Sequence, residues 1–141
     1  MEYPEAHLHP ALVHFPVALF VSALMMEAAS FLFKKESFHR SAIHLYALAC
    51  ILAPLVVWTG FEEAEHNHLK HPVLSWHRNF ALATLWTSWI GAGLFWLVQQ
   101  RFKKYARTVF VIFLLLTAGL VTLAAYNGGR LVYEYAVGVE S

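Results

Sequence analysis

Four long apolar runs, at about 11–33, 41–60, 78–99 and 106–126, take up most of the 141 residues and limit what this chain can fold into. A hydrocarbon core about 30 Å thick is crossed by about 20 helical residues rising 1.5 Å each, and every run meets that length. The remaining segments are too short to make a soluble domain. The sequence therefore predicts an all-α fold, a four-helix transmembrane bundle forming a single integral membrane domain over residues 1–141. Composition agrees, because 59% hydrophobic and 13% charged residues leave too little polar material to wet the surface of a small soluble protein. No Lys or Arg precedes the first run, so it lacks the basic start of a secretory signal and reads as a permanent helix.

The charges orient the spans. Lys34, Lys35 and Arg40 fall between the first two, and Arg101, Lys103, Lys104 and Arg107 between the last two. Cytoplasmic loops are enriched in Lys and Arg, which places these two loops inside and puts both termini and the 61–77 connection outside. For a bacterium this means the inner membrane with periplasmic termini. Seven of the nine histidines (His7, His9, His14, His66, His68, His71 and His77) then lie on the outer side, with most of the glutamates. Acidic and basic residues nearly balance, and nothing suggests a nucleic-acid partner. Cys50 is the only cysteine, so there is no internal disulfide and no cysteine-rich metal motif.

Within the spans, Pro54 removes the amide that would bond the carbonyl of Cys50, and a kink is expected there. Pro16, near the start of its span, costs less. Ala81, Ala83, Ser88, Gly91 and Gly93 give span three a small-residue surface suited to close helix packing.

The segment His9-Pro10-Ala11-Leu12-Val13-His14 before span one is echoed by His71-Pro72-Val73-Leu74-Ser75-Trp76-His77 before span three, with a one-residue gap. Each copy heads a span that ends near a Lys-Lys pair, as two repeated helical hairpins would. In this register His14 and His77 lie at one depth near the outer surface and face each other. Two imidazoles on facing helices are the axial ligands that a b-type haem requires, and bundle cores commonly house haem. Arg78, Arg130 and Lys70 would neutralise its propionates, while Trp76, Trp86, Phe15 and Phe80 would pack on the porphyrin. The plainer reading makes the histidines interfacial caps and the aromatics a membrane belt.

A second set runs from Glu62 to His71. Glu63 and His66 have the i, i+3 spacing of one half of a carboxylate-bridged di-iron site. Equally, His66 and His68 with His71, His9 or His7 would suit an iron, copper or zinc ion, and a solvated polar turn explains the same residues. Deeper in the membrane stand Glu27 and His44, whose distances from the inner edge match. A buried ionisable group normally faces the bundle interior and finds a partner, so these two are expected to pair. After span four, Gly128-Gly129 is expected to break the helix, and a tyrosine-bearing tail to fold back over the outer face, bringing Arg130 and Tyr133 to the haem.

The chain resembles the bacterial inner-membrane family called domain of unknown function 2231. The likeness rests on His9-Pro10, on Val13-His14-Phe15-Pro16-Val17-Ala18-Leu19, on Thr59-Gly60, on His77, and on Gly128-Gly129 with Leu131-Val132-Tyr133 and Val137-Gly138-Val139. The family often has Gly where Ala136 stands and Asp near Glu62 and Glu63. The resemblance implies topology and location, and no activity.

Three functions follow from the residues: a membrane-embedded haem protein passing electrons to a redox partner or quinone, a transition-metal binding or sensing protein using the outer His/Glu cluster, and a structural or assembly subunit of a larger membrane complex. Whether the chain is an enzyme stays open, although no Gly-x-Ser-x-Gly, His-Glu-x-x-His or phosphate-loop pattern is present.

Overall fold

A computed structural model describes residues 8–66 and 70–136. The elements are α1 (Leu8–Leu12), α2 (His14–Phe33), α3 (Glu36–His66), α4 (Pro72–Arg101) and α5 (Lys103–Tyr133). Four spans, from His9, Glu36, Pro72 and Lys103 onward, are long and apolar enough to cross a membrane. The short α1 leads into α2 with only Val13 between them, and Val13 itself keeps helical angles. α2 to α5 form an up-and-down ring in which each helix packs on its two neighbours. One end of the ring gathers the starts of α2 and α4 and the finishes of α3 and α5, here called the termini end. The other holds the two basic loops.

The helices are longer than the apolar runs. About 30 residues make about 45 Å of helix, well beyond the hydrocarbon core. α5 in particular continues through Gly128 and Gly129 to Tyr133, contrary to the expected break. Two glycines weaken a helix without ending it when flanking contacts hold it, and Leu131 beyond them is buried. Chain reversal at the basic-loop end uses Lys34 in the left-handed region, with φ 53°, and Phe102.

Large apolar side chains such as Phe31, Leu32, Ile51, Trp96 and Leu116 point outward. With no water-facing role to play, they make the lipid-contacting surface. The interior is built from Phe20, Tyr46, Phe110 and Leu114 fitted against Ala23, Ala42, Ala49 and Ser88.

The interior also reveals the repeat. Shifting the first hairpin by 68 residues puts buried positions on buried positions: Pro16 on Thr84, Phe20 on Ser88, Ala23 on Gly91, Ala42 on Phe110, Tyr46 on Leu114, Ala49 on Thr117, Cys50 on Ala118, Ala53 on Val121 and Val56 on Ala124. At two of these pairs the sizes are exchanged between the halves, Phe20 with Ser88 and Ala42 with Phe110, which keeps the interior filled. The halves thus stand in a pseudo-two-fold relation, in a register different from the one the sequence suggested. His77 corresponds to His9.

The orphan carbonyl created by Pro54 is satisfied across the bundle. Trp89 on α4 donates its indole N–H to Cys50 O at 2.9 Å. Next to it Tyr46 donates to Ser88 O at 3.0 Å. Together these bonds stitch α3 to α4 at mid-membrane, where an unmet polar group is costly.

Candidate metal centre

His9 and His77 meet on the axis at the termini end, edge to face, with ring centroids 6.1 Å apart. Each is fixed in the same way. His9 Nδ1 donates to Val56 O at 3.0 Å, and His77 Nδ1 donates to Ala124 O at 2.8 Å. Both acceptors lie 47 residues further along the chain. Each ring also rests on a glycine 51 residues on, where a side chain would intrude. A Cβ on Gly60 would come within 2.7 Å of His9 Cε1, and one on Gly128 within 3.1 Å of His77 Cε1. The glycines matter here because they admit the rings.

A Nδ1–H donated to a carbonyl settles the tautomer and leaves the Nε2 lone pair as the donor for a metal, the usual support of a ligating histidine. With metal–nitrogen bonds of about 2 Å, two imidazoles that held one ion would have ring centres about 5 Å apart at a tetrahedral angle and about 6 Å apart when opposed, so at 6.1 Å the two residues could hold an ion between opposed rings. Below them lies an apolar crevice of about 50 Å³, whose walls are largely repeat mates: Val13 with Ala81, Pro16 with Thr84, Ala53 with Val121. Glu63 of α3 is electrostatically coupled to His9. Among the described residues no three His, Cys, Asp or Glu side chains surround one point, so the pair would supply two ligands.

His14 is not part of this arrangement. It is exposed, and five positions along a helix turn the side chain by about 140°. With His9 facing inward, His14 faces away, which corrects the expected His14–His77 pair. The expected haem contacts also disperse. Phe15, Trp76 and Trp86 are on the outer surface. Arg78 stacks its guanidinium on Phe61, 3.8 Å from the ring centroid, and Arg130 bonds Glu134 on its own helix at 2.9 Å and reaches the Tyr135 hydroxyl. Tyr133 is 90% exposed and turned away. α5 does not break, and among the described residues of the expected tail Tyr135 reaches back to His71, at 4.1 Å between centroids. His71 is the N-cap of α4, accepting from Val73 N, and so has a structural task. The His66 side chain, His7 and His68 lie outside the described residues, and with them the rest of the expected loop cluster.

Glu27 faces the interior as expected, and is 2% exposed, but its partner is not His44. Glu27 Oε2 accepts from His39 at 2.6 Å and Oε1 from Arg107 at 2.9 Å. His44 is exposed and bonds Arg40 O on its own helix. Matching depths were the right measure and helix phase the neglected one, since His44 again stands five residues from the inward histidine.

The bundle and its inward imidazole pair belong to a membrane protein of four apolar helices. More particularly, the chain belongs to the family described as "Predicted membrane protein (DUF2231)", whose model matches residues 5–141. No curated protein and no solved structure matches it.

Proposed function

We propose that this protein holds a transition-metal centre at the termini end of the bundle, ligated by Nε2 of His9 and His77, and uses it for metal binding or electron transfer. The observation that carries the reading is the symmetric support of the two rings, each locked through Nδ1 on a main-chain carbonyl and seated on a glycine. Imidazole suits iron, copper and zinc. Other coordination positions would fall to an exogenous ligand. The basic loops at the opposite end favour an orientation with the centre on the periplasmic side of a bacterial inner membrane, within reach of a periplasmic redox partner or quinone.

A b-type haem on the same two histidines is the second reading. Two imidazoles at a spacing suited to one iron favour it. The crevice of about 50 Å³ argues for the bare ion, because pockets for cofactor-sized ligands occupy about 300–1,000 Å³, and a porphyrin would have to part the two halves.

Purified protein in mild detergent, with its visible spectrum recorded oxidised and reduced beside elemental analysis for iron, copper and zinc, tests both. Stoichiometric metal without porphyrin bands, lost in His9→Ala and His77→Ala but kept in His14→Ala, is the expected result. Sharp reduced haem bands lost in the same two variants would select the second reading. Protein free of metal and haem after expression in metal-replete medium would refute both, leaving a structural subunit of a larger complex.

A further inference from the structure

At the basic-loop end, three helices bring ionisable groups to one buried point. Glu27 of α2 lies between His39 of α3 and Arg107 of α5. Arg107 also donates to Ser30 of α2 and approaches Glu36 of α3 at 3.7 Å. His39 is 7% exposed. From α4 comes no charge, only Phe95, stacked on Phe110. This cluster is remote from the imidazole pair and has no part in the metal centre.

Desolvating a carboxylate, a guanidinium and an imidazole together is costly, and apolar residues of similar volume often replace such networks at no loss of stability. Ionisable groups at this depth commonly serve proton or ion movement. We propose that Glu27, His39 and Arg107 form a proton-binding site that exchanges with the basic-loop side only.

The hydrogen bonds dictate where the proton goes. Both carboxylate oxygens of Glu27 accept, one from Arg107 and one from His39, so His39 carries its hydrogen on Nδ1 and keeps a lone pair on Nε2. Uptake forms one N–H bond at Nε2, with the proton leaving a hydronium ion. The resulting imidazolium is balanced by Glu27, to which it is already bonded, while Arg107 is shared with Glu36. Access is one-sided for a steric reason. Arg107 and Glu36 reach the surface, with side chains 35% and 62% exposed. Toward the centre the cluster is closed by aromatic rings in sequence, His39 on Phe110, Phe110 on Tyr46 and Tyr46 on Phe20, with centroids 5.4 to 5.6 Å apart. Among these rings only Tyr46 carries a hydroxyl, and it is bonded away from the cluster, to Ser88 O at 3.0 Å and Thr117 Oγ1 at 3.4 Å.

The test is nitrogen NMR of the full-length protein, labelled with ¹⁵N-histidine, in lipid nanodiscs, with the His39 signals assigned from His39→Asn. Expected is a reversible conversion of His39 Nε2 from bare to protonated as the sample is taken from about pH 8 to pH 5, the range open to histidine, while Nδ1 stays protonated. Glu27→Gln removes the balancing charge and should abolish the conversion in that range, whereas Arg107→Lys should retain it. A wild-type His39 that keeps one protonation form throughout would overturn the site, as would an unaltered conversion in Glu27→Gln. If Glu27→Gln does not fold, Glu27→Asp replaces it, with a displaced conversion expected and an unchanged one overturning the proposal. For sidedness, vesicles carrying an internal pH dye and given a pH jump should leak protons no faster than empty vesicles. Flux above that level would contradict one-sided exchange.

Discussion

The indole nitrogen of Trp89 lies 2.9 Å from the carbonyl oxygen of Cys50, the one backbone acceptor that Pro54 strips of its helical partner. A proline inside a span is tolerated when a neighbouring helix meets the freed carbonyl. Trp89→Phe keeps an aromatic side chain and removes the donor, and should destabilise the protein by about 1–3 kcal/mol. Adding Pro54→Ala supplies an amide for the same carbonyl and should recover much of that loss. Reversible denaturation in mixed micelles measures both. Additive losses in the double variant would show that the bond does not serve Pro54.

Glycine at 60 and 128 makes room for the imidazoles. Gly60→Ala meets a His9 ring that is held by Val56 O and near the Thr59 hydroxyl, and should strongly weaken metal binding. Gly128→Ala faces a looser approach and should weaken it less. Metal content after dialysis, together with the melting temperature, separates loss of the centre from loss of the fold.

Gly91 is under a different constraint. Its missing Cβ would lie 2.6 Å from Phe113 Cβ, an atom close to the α5 backbone that cannot swing aside. Gly91→Ala should force α4 and α5 apart and cost about 1–3 kcal/mol. Gly93, with nothing nearby, should accept alanine without loss of thermal stability, and comparing the two melting temperatures checks the packing.

Removing one partner of a buried ion pair typically costs about 3–5 kcal/mol. Glu27→Gln should be strongly destabilising, Arg107→Gln, with a side chain 35% exposed, less so because solvent screens it, and the double variant should cost clearly less than their sum. His44→Gln should be nearly neutral and additive with Glu27→Gln. Coupling between Glu27 and His44 instead would mean that the cluster is arranged otherwise.

A metal held by neutral imidazoles must compete with protons, so affinity should fall as the solution is acidified. Competition with a chelator of known affinity, run from about pH 8 to pH 5, should show this decline in the wild type. A flat profile would assign the metal to other ligands.

What the sequence determined by itself was everything that depends on length, hydropathy and spacing along one helix. The four apolar runs required four membrane helices, Pro54 deprived the Cys50 carbonyl of its helical partner, and the depth of Glu27 called for a partner in the interior. The family motifs around His9, Gly60, His77 and Gly128 were visible, though not that each glycine seats a histidine. Tertiary structure decided the rotational phase of each helix. Five residues along a helix shift a side chain by about 7.5 Å in depth but turn it by about 140°, enough to take it off the inner face. His14 and His44 stand on the outside, whereas His9 and His39 face the interior. Only the packing of four helices on one another fixed which side was inside.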